Sequence, residues 1–95
     1  MALVFEWDEE KAAINIRKHG IDFNDAKQVF EDDFAVDEVD DSMEYEEDRF
    51  IITGLMDGYL ITVIYTERND TLRLISARKA SKYEERKYHS QQTPP

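Results

Sequence analysis

The sequence contains no cysteine, which excludes disulfides and thiolate chemistry and fits a cytosolic setting. Glycine is scarce. With only Gly20, Gly54 and Gly58 available, no glycine-rich loop can cradle a phosphate. Both prolines close the chain, at Pro94 and Pro95. Long apolar runs are missing too: a stretch such as Tyr59–Tyr65 is strand-sized, far short of the roughly 20 residues a membrane helix needs. Met1–Trp7 has no basic residue and no long apolar run, so it does not read as a secretory signal. Positive charge is in deficit, with 12 Lys and Arg against 22 Asp and Glu, a formal net charge of −10. Spread evenly, that charge would exclude nucleic-acid binding, because a polyanion is repelled by an anionic surface.

The charge is not spread evenly. Glu31–Asp48 holds 11 acids and no Lys or Arg, whereas Arg49–Pro95 carries 8 bases and 5 acids. The acidity is therefore local, and the C-terminal half is mildly basic. At 95 residues with 41% hydrophobic content, one domain is expected, spanning residues 1–90, with 91–95 as a frayed tail. Its core is modest, and a partner subunit would add stability.

Local signals predict the elements. Leu3–Trp7 alternates and reads as a strand with Leu3, Phe5 and Trp7 on one face. Asp8 is an N-cap, Glu9 and Glu10 suit the first turn, and Gly20 suits the exit of a helix ending near His19. Ala12, Ala13 and Ile16 form its apolar stripe. A second helix begins near Asp22, with Ile21 and Ala26 as a hydrophobic staple and Phe23, Ala26, Val29 and Phe30 at helical spacing. Phe34–Asp40 reads as a charged edge strand and Asp41–Asp48 as a loop. Arg49–Met56 and Tyr59–Thr66 flank Asp57-Gly58, the signature of a type I′ hairpin. A third strand, Thr71–Lys79, follows a loop at 67–70. Ser81 and Glu84 match a capping box for a helix over Lys82–Ser90.

A tight turn at Asp57-Gly58 sets Phe50 opposite Tyr65 and Ile52 opposite Val63. A four-residue loop at 67–70 would set Leu72 opposite Tyr65 and Leu74 opposite Val63. One face then collects Phe50, Ile52, Ile61, Val63, Tyr65, Leu72 and Leu74 as core. The other carries Arg49, Thr53, Thr62, Thr66, Arg73 and Lys79.

Phe5-Glu-Trp-Asp8 and Ile16-Arg-Lys-His-Gly-Ile-Asp-Phe23, with Ala26 and Val29-Phe30, resemble the BrnT toxins. So do Tyr65-Thr-Glu-Arg68, Arg73-Leu-Ile-Ser-Ala-Arg78, Ala80-Ser81 and Glu85-Arg86 with Tyr88. The resemblance covers nearly the whole chain. It implies a RelE-like fold; the hairpin and capping signals themselves predict an α+β architecture, two N-terminal helices packed on an antiparallel sheet with a short C-terminal helix. The resemblance also implies growth inhibition through RNA cleavage, and neutralisation by a BrnA-like ribbon-helix-helix antitoxin. The acid-rich segment is heavier than the family pattern leads one to expect.

Such cleavage needs neither metal nor cofactor, because RNA supplies its own nucleophile, the 2′-hydroxyl. The protein has to position it and stabilise charge on the phosphate. Arginine suits this task, being always charged and able to grip phosphate with two donors. The candidates are Arg49, Arg73, Arg78 and Arg86, with Lys79 and Lys82 assisting. For any one of them, pairing with a nearby acid is the simpler expectation. His19 is a candidate general acid or base, with capping of the helix end the favoured role. Tyr88 is a candidate RNA contact, Tyr65 and Trp7 read as packing residues, and His89 receives no role. Asp32-Asp33, Asp37-Glu38 and Asp40-Asp41 lack the spacing of a calcium loop and read as a solvated acidic face. A second use for that segment is an antitoxin-facing surface containing Asp40, Asp41, Glu46 and Glu47. Two other classes remain open: a non-catalytic toxin-like module that only binds its partner, and an acidic nucleic-acid mimic.

Overall fold

β1 (Val4–Glu6) leads into α1 (Glu9–His19), a one-turn α2 (Phe23–Ala26) and a 3-10 helix (Lys27–Glu31). Then follow β2 (Val36–Asp40), β3 (Arg49–Met56), β4 (Tyr59–Arg68), β5 (Thr71–Lys79) and α3 (Lys82–Ser90). This is a computed structural model, and it describes residues 3–40 and 48–91. Asp41, Glu46 and Glu47 lie outside the described residues.

The local signals act as expected at the element ends. The Asp8 carboxylate accepts from the N–H groups of Glu10 and Lys11 at 2.8 and 3.2 Å. Gly20, at φ 71°, donates to the Ile16 carbonyl at 2.7 Å, a left-handed exit that glycine adopts freely. Asp57 and Gly58 have φ of 51° and 84°, as a type I′ turn requires. Phe50 opposes Tyr65 and Ile52 opposes Val63, the register that turn predicts. Ser81 and Glu84 complete the capping box of α3.

The architecture is α+β, but the sheet is mixed, in the order β1-β5-β4-β3-β2. β1 runs parallel to β5, with Phe5 beside Leu72 and Glu6 beside Arg73, so the expectation of an antiparallel sheet is corrected. That pairing joins the first strand to the last, and β1 is tied to the core through Phe5, whose ring meets Phe30 edge-on at 5.1 Å. The expected pair of N-terminal helices is also corrected. Only α1 is a full helix; the second stretch tightens to 3-10 geometry after Ala26 while still burying Phe23, Ala26 and Val29. Gly54 lets it close on β3, since a Cβ there would stand 3.0 Å from Val29. The α1 stripe is rotated from the expected one: Ala12 and Asn15 are buried, whereas Ile16 is 46% exposed.

The β4–β5 connection is a two-residue turn, Asn69-Asp70, both at positive φ, instead of a loop over 67–70. Tyr65 therefore faces Leu74, and Val63 faces Ala77. Because Ile64 already pairs with Ser76, Ile75 is an extra residue on β5. This bulge reverses the side-chain alternation of β5 along its length. Leu72 and Leu74 face the core before it, and Ala77 does so after it. The expected Leu72–Tyr65 and Leu74–Val63 pairs are thus replaced. Lys79 moves off the arginine face to pair with Ile61, and Arg78 moves onto that face opposite Thr62.

Candidate functional site

The sheet has two unlike faces. The 3-10 helix, α2 and α1 cover the apolar one, where Val63, Tyr65, Leu74 and Ala77 are buried. The second face carries the arginines, and at one end of it a polar row crosses the sheet. Asp40 pairs with Arg49. Thr66 pairs with Arg73, and Arg73 pairs with Glu6. The Phe50–Tyr65 pair places Arg49 next in line with Thr66. The row therefore reads Asp40, Arg49, Thr66, Arg73, Glu6, with one residue from each strand. Arg73 meets Glu6 at only 3.6 Å, and both side chains are partly exposed.

The other end of this face is a closed network. Arg78 donates both terminal nitrogens to Glu84, at 2.8 and 3.0 Å. Glu84 Oε1 also accepts from the Ser81 N–H at 2.8 Å and from the Thr62 hydroxyl at 2.9 Å. Thr62 in turn shares a 2.8 Å hydrogen bond with Thr53. Burial opposes ionisation of Glu84, but the Arg78 fork, the Ser81 N–H and Thr62 outweigh it and hold its carboxyl down to about 2. The Glu84 hydrogen bonds raise the Arg78 guanidinium further against a smaller effect of burial. Arg78 thus has the acid partner that its sequence setting suggested. α3 lies over this end. Lys87 forms an ion pair with Glu38, and a cleft of about 120 Å³ opens between Thr53, Glu84 and Lys87.

The remaining candidates are scattered. Lys79 is exposed on the opposite face, beside a groove of about 600 Å³ that also includes Tyr59 and His89. Lys82 and Arg86 are exposed on α3, and Lys82 lies 3.7 Å from Glu85. His19 is exposed in the last turn of α1, the helix of the opposite face, and the Ile16 carbonyl there is taken by Gly20. Tyr88 was a candidate for RNA contact, but it is 2% exposed and its hydroxyl donates to Asp32 at 2.7 Å. Burial, reinforced by Asp32, pushes that phenol up to about 12. Tyr65 is buried as its register implied, with its hydroxyl on Asp37 at 2.6 Å.

Among the described residues, several acids of the segment have internal work. Asp32 accepts from Tyr88, the Leu55 N–H at 3.0 Å and the Phe34 N–H at 3.0 Å. Burial raises its carboxyl pKa, and these three donors more than reverse that. Asp37 accepts from Tyr65, Glu38 pairs with Lys87, and Asp40 is the register partner of Arg49. The expectation of a wholly solvated acidic face is corrected accordingly. Sequence reasoning missed Glu84 as the anchor of Arg78, although its capping-box position marked it as a placed carboxylate. No local signal marked Asp32 or Asn15. No helix among the described residues is long and apolar enough to cross a membrane. No group of three or more His, Asp or Glu side chains among them is placed to hold a metal ion.

A family model described as "Ribonuclease toxin, BrnT, of type II toxin-antitoxin system" matches residues 7–84. No curated protein matches the chain.

Proposed function

The chain belongs to the BrnT family of ribonuclease toxins from type II toxin–antitoxin systems, and from that premise we propose that it is a metal-independent endoribonuclease of RelE-like design. Its substrate is RNA, its effect is arrest of translation and growth, and its partner is a BrnA-like ribbon-helix-helix antitoxin. The observation that carries this reading is the gathering of Arg49, Arg73 and Arg78 on one sheet face. Arg49 and Arg73 stand where they can meet a phosphate, and their charge offsets what builds up on its oxygens as the 2′-hydroxyl attacks. Arg78 joins them when RNA competes with Glu84. Lys79, Lys82, Arg86 and His19 surround the domain at other points and are assigned longer-range contacts to the strand. Asp40, Asp41, Glu46 and Glu47 are assigned to steering the antitoxin.

The test is cleavage of RNA by the purified protein with and without a chelator, alongside growth on induced expression with and without the antitoxin. Cleavage that survives chelation and is lost on removing Arg49 and Arg73 together supports the proposal. Cleavage that requires added magnesium contradicts it. One observation favours a second reading: the Arg78 fork is already satisfied by Glu84. A chain that binds antitoxin tightly but cleaves no RNA would be a non-catalytic toxin-like module.

A further inference from the structure

We infer that Arg49, Thr66 and Arg73 form a subsite for one RNA phosphate, with the Thr66 hydroxyl as a donor at its centre. This subsite rests on the ribonuclease reading above and adds to it a residue and a position.

Thr66 sits on β4, between the two strands that carry the arginines. Arg73 is its register partner on β5, and the Phe50–Tyr65 pair sets Arg49 beside it on β3. Neighbouring strands lie about 4.8 Å apart, so the two arginine backbones are about 10 Å from each other. Side chains of arginine length span that gap and can converge on one phosphate, each with more than one donor. Thr66 is 1% exposed, and its hydroxyl has no hydrogen-bond partner among the described residues. The other two buried threonines of this face are satisfied, since Thr53 and Thr62 bond one another and Thr62 serves Glu84.

An unpartnered buried hydroxyl is costly, and a valine of the same shape would avoid the cost. A threonine at this position is accounted for by an acceptor that arrives with a ligand. Phosphate oxygens are acceptors only, and the residues on either side are cations, so the matching chemistry is an anion. Arg73 is held to Glu6 by a long, partly exposed contact, which a phosphate can displace. Thr66 is flanked in register by both arginines, so a phosphate drawn in by them is brought to its hydroxyl. Glu6 and Asp40, at the ends of the row, oppose the capture of a free anion. The subsite therefore takes a phosphate that belongs to a polymer held at several points.

The experiment measures binding without cleavage. Wild type, Thr66→Val, Thr66→Ser and Arg73→Ala are titrated with a fluorescent RNA whose 2′-hydroxyls are all methylated, and the melting temperature of each is recorded. The expected result is that Thr66→Val keeps or raises the melting temperature yet binds about tenfold more weakly, the loss of one hydrogen bond to charge. Thr66→Ser restores binding. A purely structural threonine would give the opposite pattern, lower stability with binding intact. If Thr66→Val perturbs the strand, Thr66→Ala removes the same hydroxyl and is read in its place. Wild-type binding by the hydroxyl-free variants, with binding lost in Arg73→Ala, overturns the subsite and leaves the ribonuclease reading standing. Absence of RNA binding by every protein, wild type included, overturns both.

Discussion

The Asn15 side chain pairs with the backbone of Ala77 as a neighbouring strand would. Its amide nitrogen donates to the Ala77 carbonyl at 2.9 Å, and its oxygen accepts from the Ala77 N–H at 3.1 Å. The same nitrogen donates to the Ile21 carbonyl at 3.0 Å. β1 pairs with β5 only as far as Arg73, so beyond that point the side chain of a helix residue takes the place of a strand. Asn15→Ala leaves these buried groups unsatisfied and should cost about 2–4 kcal/mol, lowering the melting temperature by at least about 10 °C. Thermal denaturation checks this; a fall of only a degree or two contradicts it.

Stability should fall with acid through Glu84. Its folded carboxyl sits at about 2 against an ordinary value of 4.5. The stabilisation is therefore complete above about pH 4.5 and is lost as pH falls toward 2, and it amounts to about 2–3 kcal/mol. Asp32, also held low, adds in the same direction. Glu84→Gln should be less stable than wild type at neutral pH, and the difference should narrow toward pH 2. A constant difference across that range, read from melting curves, contradicts the assignment.

Arg73 and Arg78 should separate activity from stability. Arg73→Ala loses only a partly exposed contact to Glu6, which costs under about 1 kcal/mol, and it should cleave RNA about 10²-fold more slowly. Arg78→Ala should lose cleavage similarly but also about 2–4 kcal/mol of stability, because it strands the largely buried Glu84 charge. Chemical denaturation and single-turnover cleavage read the two effects. A double variant that cleaves like wild type removes both residues from the site.

Tyr88→Phe should act on the fold and leave RNA binding alone. It deletes the hydrogen bond to Asp32 and should cost about 1–2 kcal/mol. Affinity for methylated RNA should stay within about twofold of wild type, and a tenfold loss would return Tyr88 to the RNA-contacting residues.

The acidic segment should tune antitoxin capture. Neutralising Asp40, Asp41, Glu46 and Glu47 to Asn and Gln should slow association about tenfold at low salt and flatten its salt dependence. An unchanged on-rate and salt slope, measured by stopped flow, would show that these four acids do not face the antitoxin.

Short-range features of this chain were legible because their causes are short-range. Asp8, Gly20, Asp57-Gly58 and the Ser81–Glu84 box act within a few residues through caps, dihedral preferences and turn twist, and each fixed an element end or a register. The alternation of β3 and β4 likewise identified their core faces once the turn was known. The candidate arginines could be named from residue chemistry and from the resemblance, before any geometry.

Only the tertiary structure decided what those arginines meet. The bulge at Ile75 has no glycine to announce it, yet it turns Arg78 toward Thr62 and Glu84 and sends Lys79 to the opposite face. The parallel β1–β5 pair joins the first strand to the last, and no local pattern selects a partner so distant in sequence. Asn15 and Asp32 are polar residues whose bonds form at long range, with Ala77, Leu55 and Tyr88. Capping and turn formation are settled by neighbours along the chain. Strand partners, bulges and buried polar bonds are settled by the packing of the whole domain, where an unsatisfied group costs as much as several good local signals contribute.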